Sequence, residues 1–497
     1  ELFAYVPNLL YSTLNELVDP NYTHKYYVDL TPTVENIDIG WVTRILVGGF
    51  GKGSIGYYAL NLSDLSPADG QVPANEDQVA DMVMWEYPNL NTPVTEIADL
   101  GYSFSRATIV QTNDSTYPWV VIFGNGYNSP NGRAVLFIVN PLTGELIKRL
   151  DTQMGGCNGL STPIATDVDY DNKVDFVYAG DLNGNLWKFD LSGSDYHDWE
   201  VSYQDAGTPK PLFKAAANQP ITSRPDVMFH CEKPGYTVLF GTGRYLSDVD
   251  LADTSQQAIY GIWDYGDAED YREYVGAFDG GTLIDTPLSS PPVSVLPQTV
   301  VNQQIFNGFD MRTVSDNAAD WTVTSLDGSG IMCGDYSGMS SCDPNGIGTN
   351  ADPLRNVGWY LNLDGPGERV VSDVLVRDGT LIAISYIPSG NMCGIGGKSW
   401  LWALDACAGA RLTEQVFDIN DDGVIDNQDM VNIGTPTDPV WVPPTSIEFD
   451  GRLQPPAIII LDEKREMLYM SSSRGEIELQ LKKAAKLGMT FWRVYRP

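Results

Sequence analysis

A short apolar run that ends in glycines, then a turn and a second apolar run, recurs along this chain and limits its fold more than any other feature. It stands as RILVGGFGKGSIGYYALNLSD (44–64), WVVIFGNGYNSPNGRAVLFIVNPLTGE (119–145) and KVDFVYAGDLNGNLWKFDLSG (173–193). TVLFGTGRYLSDVDLADTSQQAIYGIWDYG (237–266) and VLVRDGTLIAISYIPSGNMCGIGGKSWLWALDACAG (374–409) follow the same scheme with longer loops. The β-branched and aromatic residues supply strands and the Gly/Asn/Asp clusters supply turns, so each copy predicts two antiparallel strands. Copies at spacings of one to two blade lengths predict an all-β fold of β-propeller type, with four-stranded blades and function on the long inter-strand loops. A sandwich fits poorly with a sheet unit repeated over 497 residues.

The whole of 1–497 reads as a single propeller domain, with an elaborated insertion at about 295–353 that is rich in Gly, Ser, Asn and Asp. The tail GEIELQLKKAAKLGM (475–489) predicts an amphipathic helix, its apolar residues only partly on one face. The opening ELFAYVPNLL has no initiator Met and no signal-peptide pattern, and no strand pair precedes it. An incomplete first blade, and a mature fragment of a longer protein whose N-terminal region is absent, are the expectation. GGFGKGS (48–54) lacks the spacing of a phosphate loop and reads as a hairpin turn.

Two segments ask for metal. In FDINDDGVIDNQDM (417–430), Asp418, Asn420, Asp422, Asp426 and Asp429 occupy positions 1, 3, 5, 9 and 12 of an EF-hand-type loop. Gly423 makes the turn at position 6 and Val424 offers its carbonyl at position 7. In the second segment, Asp167, Asp169, Asp171 and Asp175 repeat positions 1, 3, 5 and 9, with Asn172 at position 6 and the carbonyl of Lys173 at position 7. The Lys173 ammonium is expected to point away. Oxygen-only ligands in high, irregular coordination select Ca²⁺ over Mg²⁺, and without a cation so many carboxylates would repel one another.

Charge and cysteines bound the partners. The formal net charge is −35, from 65 acidic and 30 basic residues, and it repels phosphate backbones, so nucleic acid is not an expected partner. No run of 18 apolar residues occurs, so no helical membrane span is expected. Six cysteines without CxxC spacing suggest disulfides and hence periplasm or cell exterior. Cys333 with Cys342, and Cys393 with Cys407, are the cheapest loops to close, although sequence leaves the connectivity open.

Catalysis finds little support: three histidines stand near no nucleophile motif, and no vicinal cysteine pair marks a quinoprotein dehydrogenase. A periplasmic propeller enzyme, quinoprotein- or glycosidase-like, is the alternative function class. A cohesin-binding module would need a second tandem loop with helices beside 418–429.

The strings ELFAYVPN, DPNYTHKYYVDLTPTV, GWVTRILVGGFGKG, PWVVIFGNGYNS, NGLSTPIATDVDYDNKVDFVYAGDLNGNLWKFDLSG, QPITSRPDV, VLFGTGRYLSDVDL and AIYGIWDYGD resemble the C-terminal domain of the PilY family, called PilC in Neisseria. The likeness is close over residues 1 to about 266 and looser beyond. It implies a modified seven-bladed β-propeller with quinoprotein-like repeats, exported by a Gram-negative bacterium and carried at the type IV pilus tip, the outer membrane surface or in the periplasm. The implied partners are minor pilins of the tip complex and a host-cell or abiotic surface receptor. The implied roles are pilus assembly, opposition to retraction, twitching motility, adhesion and virulence, without enzymatic activity. The family's calcium loop falls on Asp167, Asp169, Asp171, Lys173 and Asp175. The family's RGD motif is absent here, where Arg474-Gly475-Glu476 stands instead, and no family role attaches to 418–429.

Overall fold

The structure, a computed structural model, describes residues 3–233, 235–264, 278–279, 282–283, 293–319, 321, 355–390 and 396–484. They group into two compact units, one built from 3–182 and 187–210, the other from 183–186 and the described residues from 211 onward.

In the first part of the chain, β1 (Thr33–Ile39), β2 (Val42–Gly49), β3 (Tyr57–Asn61) and β4 (Val83–Tyr87) form one antiparallel sheet in sequence order. A second follows from β5 (Thr108–Gln111), β6 (Trp119–Gly124), β7 (Val135–Val139) and β8 (Leu146–Asp151). The third contains β9 (Ile164–Thr166), β10 (Phe176–Gly180), β11 (Asn185–Asp190) and β12 (Glu200–Val201). Burial explains why WVVIFG and VLFIV are unbroken apolar runs rather than alternating ones. Every residue of β6 and β7 is buried, because the second sheet is covered on both faces. Val121, Phe123, Val135 and Phe137 pack with Val47, Tyr57 and Trp85 of the first sheet. Val120, Ile122, Leu136 and Ile138 pack with Val177, Ala179, Trp187 and Phe189 of the third. The rings of Tyr57 and Phe123 stack at 4.0 Å. The glycine that ends β6 has a packing reason: a Cβ on Gly124 would stand 2.3 Å from the carbonyl oxygen of Ser161, so only glycine lets the two chains approach.

The second unit carries a five-stranded sheet, in the order Asp226–Phe229, Tyr236–Gly241, Ala258–Asp264, Arg355–Asn362, Val293–Gln298. The last pair is parallel. A seven-stranded sheet holds Val300–Phe306, Phe309–Val314, Ser446–Asp450, Gly397–Asp405, Thr380–Pro388 and Arg369–Val370 in that order, with Leu375–Arg377 also on Thr380–Pro388. A three-stranded sheet of Ala457–Ile460, Arg465–Ser471 and Ile477–Lys483 follows.

Several expectations are corrected. Among the described residues the chain forms five sheets of four to seven strands, five blades rather than seven. The difference arises because strands from distant segments join one sheet, as 300–314, 369–388, 397–405 and 446–450 do. Ile477–Lys483 is a strand, not a helix, paired residue for residue with Arg465–Ser471. Its glutamate, lysines and leucines favour helix, but seven paired positions outweigh that weak preference. Its inward positions are polar, with Gln480 and Lys482 buried, which hid the period of two. The rest of the tail expectation, from 485, lies outside the described residues. Of the stretch read as an insertion, 295–319 supplies sheet strands, and 322–353 lies outside the described residues. Cys407 is bonded to Cys231, 176 residues away, with Cα atoms 5.9 Å apart. Loop closure cost rises only logarithmically with length, so a pairing set by folded geometry easily overrides it. Cys333, Cys342 and Cys393 lie outside the described residues, and Cys157 is unbonded and exposed. No described helix is long and apolar enough to cross a membrane.

A buried ion pair ties the second unit together. Arg312 donates through Nη1 to both oxygens of Glu368, at 3.0 and 2.8 Å. Its guanidinium lies 3.8 Å over the Trp400 ring, and both charged side chains are shielded from water. Removing one partner strands the other charge, so Arg312→Ala is expected to lower the unfolding free energy by about 3–5 kcal/mol in urea titration.

Candidate metal centre

The loop 167–175 joins β9 to β10 and is clamped at both ends. Phe176 pairs with Thr166, and the Asp175 N–H donates to the Thr166 carbonyl at 2.9 Å. The Val174 N–H donates to the Gln111 carbonyl at 2.8 Å, so the loop is anchored on the end of β5. Within it, carboxylates organise backbone. Asp167 accepts from the N–H of Tyr170 at 2.7 Å and of Asn172 at 2.9 Å. Asp169 accepts from Asp171, Asp171 from Lys173, and Asp175 from Val168, at 3.1, 2.8 and 2.7 Å. Tyr170 and Asn172 take φ of +68° and +69°, which turns these N–H groups inward.

This folding brings Asp167, Asp169 and Asp175 together: one carboxylate oxygen from each lies within 4.8 Å of the others. Oxygens bound to one cation at about 2.3–2.6 Å lie up to about 5 Å apart, so this spacing is compatible with a hard divalent ion of calcium's size. Asp167 and Asp175 are buried and Asp169 is exposed, so the cluster opens to water on one side. Asp171 stands apart from that trio. The Lys173 ammonium lies 3.1 Å from Asp171 Oδ2 and donates to Asn113 Oδ1 at 2.9 Å. Asn113 was invisible as a site residue, because nothing in its sequence context marks a contact made from 60 positions away.

The 418–429 loop repeats this wiring. Asp418 accepts from Asp421 and Gly423 at 2.7 and 2.9 Å, Asn420 from Asp422 at 3.0 Å, and Asp422 from Val424 at 2.8 Å. Asp421 and Gly423 take φ of +60° and +81°, matching Tyr170 and Asn172. The N–H of Ile419, second in the loop, donates to Asp429 at 2.8 Å, as Val168 does to Asp175. Asp429 at position 12 therefore has the place that Asp175 has at position 9. Asp426 instead caps the N–H of Gln428 at 2.7 Å. The loop is backed by Gln480, whose amide donates to the Asp418 carbonyl at 2.7 Å. No three carboxylates of this loop approach as closely as Asp167, Asp169 and Asp175 do, among the described residues.

The succession of sheets has a counterpart in known proteins. The family model of the PilY1 β-propeller domain matches residues 9–295. The chain belongs to the PilY1 β-propeller family. The type IV pilus biogenesis factor PilY1 of Pseudomonas aeruginosa (strain UCBPP-PA14) is 31% identical over 464 residues, covering 86% of this chain and 36% of its own length. A PilY1 homolog of Xylella fastidiosa (strain Temecula1) is 34% identical over 440 residues, covering 84% of this chain and 25% of its own. The chain thus spans between a quarter and about a third of these relatives. The crystal structure of the Pseudomonas aeruginosa PilY1 C-terminal domain superposes with a TM-score of 0.68 at 26% identity, over 97% of this chain and 88% of that one. The PilY1 propeller fold accounts for the all-β sheet succession described above.

Electrostatics mark Asp175 as the sensitive member of the first loop. Burial pushes its carboxyl up to about 6, and Asp169, Asp167 and Asp171 add in the same direction against the Val168 N–H. Burial likewise raises Asp429. A folded-state pKa above the unfolded one means that the folded chain holds the proton more tightly, so stability falls as pH rises from about 4 through about 6. In chelator, Asp175→Asn keeps an acceptor for Val168 without the charge. It is expected to melt at a higher temperature than the parent at pH 7.5, with the difference vanishing near pH 4.

Proposed function

We propose that the chain is the calcium-binding propeller of a type IV pilus tip protein, acting without catalysis in pilus assembly, retraction control, twitching motility and surface adhesion. Membership of the PilY1 family supports the pilus role, and the relatives are named as biogenesis factors. The observation that carries the calcium reading is the convergence of Asp167, Asp169 and Asp175 on one point at the end of a sheet hairpin. Asp171 and the carbonyl of Lys173 complete the proposed first site. Asp418, Asn420, Asp422, the carbonyl of Val424, Asp426 and Asp429 form the proposed second. The repeated hydrogen-bond order supports the second assignment.

The proposed mechanism is loop ordering. Calcium neutralises carboxylates that otherwise oppose burial, and fixes a surface that meets minor pilins at the tip and a host-cell or abiotic receptor. Export from a Gram-negative cell is part of this reading, and the Cys231–Cys407 disulfide accords with it.

Calorimetric titration of chelator-treated protein with Ca²⁺ is expected to show two ions bound, with Asp175→Ala and Asp422→Ala each losing one. At calcium a hundredfold above Kd the parent gains about 2.7 kcal/mol per site, and each variant lacks one such increment. In the pilus-bearing cell, Asp175→Ala is expected to change piliation and twitching. Normal piliation in a cell whose loop is shown to bind no calcium overturns the functional reading.

A further inference from the structure

A second concave site lies on the first unit, and it shares no residue with either carboxylate loop. It is a cleft of about 390 Å³ between the tip of the β1–β2 hairpin, the end of β3, and the short helix α1 (Glu76–Asp81). That volume falls at the small end of ligand-sized cavities.

Trp41 supplies the platform. It is the second residue of a two-residue hairpin turn, since Ile39 pairs with Val42, and Gly40 before it takes φ of +61°. The turn fixes the backbone beneath an indole that is 69% exposed. Large aromatic side chains ordinarily bury most of their surface, so a rigidly mounted, exposed indole at the mouth of a cleft offers contact area at little ordering cost.

The polar lining contains both kinds of hydrogen-bonding group. The Asn61 amide is held through Oδ1, which accepts from the backbone and hydroxyl of Ser63. The Gln78 amide is held through Oε1, which accepts from the Ala74 N–H at 2.7 Å. Each amide therefore keeps its NH₂ group as a donor. Asp64 and Asp81 line the same cleft, and neither carboxylate has a hydrogen-bond or ion-pair partner among the described residues. No Lys, Arg or His lines it among those residues.

We infer that this cleft binds a neutral saccharide, a pyranoside with equatorial hydroxyls. Such a ring presents a flat C–H face to an indole, and its hydroxyls both donate and accept, matching carboxylates interleaved with amide NH₂ groups. An anion would meet the two carboxylates, while the Arg44 guanidinium that donates to the carbonyl of the lining residue Leu65 at 3.4 Å is also bonded to Asn36. A cation would use the two carboxylates and the indole but leave the amide donors without acceptors, so the mixed lining favours the sugar.

The probe is cellobiose, whose hydroxyls are all equatorial apart from the anomeric position. Saturation-transfer NMR on the 497-residue chain, with titration at millimolar sugar, is expected to show transfer centred on the ring C–H protons. Trp41→Ala, at an exposed turn, is expected to keep the parent's melting temperature and weaken binding about tenfold, whereas Trp41→Phe retains part of it. Nα-acetyl-arginine amide, run in parallel, is expected to show no saturable binding that depends on Trp41. Absence of cellobiose binding, equal binding by Trp41→Ala, or Trp41-dependent binding of the arginine derivative alone each overturns the inference. None of these variants touches the carboxylate loops, so the result is independent of the calcium reading.

Discussion

Asp175 works through three bonds at once, and the first carboxylate loop depends on their combination. Its N–H and carbonyl belong to the sheet, donating to Thr166 and accepting from Leu191 at 2.9 and 2.7 Å. Its side chain meanwhile closes the loop by accepting from Val168. The loop cannot open without disturbing the end of β10, and a charge at its centre is felt directly by a strand. That coupling turns an acidic turn into part of the blade. Burial, which raises the carboxyl to about 6, is the cost of the arrangement, and the cation proposed for the point shared with Asp167 and Asp169 would offset it.

The two loops reach the same wiring from different spacings. Position 1 binds the N–H groups of positions 4 and 6 in both, and a later aspartate binds the N–H of position 2. In one loop that aspartate is three residues nearer, because the chain must enter β10 at once. In the other a helical turn capped by Asp426 intervenes. The hydrogen-bond order is thus conserved between loops while the spacing is not.

Much of this was legible in sequence for physical reasons. Apolar runs ending in glycine marked strands because buried sheets need apolar residues on both faces and glycine where Gly124 meets Ser161. The aspartate spacing marked both loops because backbone turns of fixed length deliver side chains to fixed points. Blade number was not legible, since Val293–Gln298 lies parallel to Arg355–Asn362 from across a long intervening segment. Nor was the Cys231–Cys407 bond, which depends on folded geometry. Ile477–Lys483 misled because its polar inward residues serve other partners: Lys482 lies 3.7 Å from Glu466, which also pairs with Arg377. The equivalence of Asp429 with Asp175 appears only when the bonds are traced.

The central claim is that a cation completes the 167–175 loop and, through Asp175, stiffens the strand it enters. Amide hydrogen exchange with and without saturating Ca²⁺ measures this directly. The account predicts that calcium slows exchange at Val168, Tyr170, Asn172 and Asp175, and that Asp175→Ala abolishes the slowing. Unchanged exchange across 167–175 in a chain that has bound calcium elsewhere would contradict it.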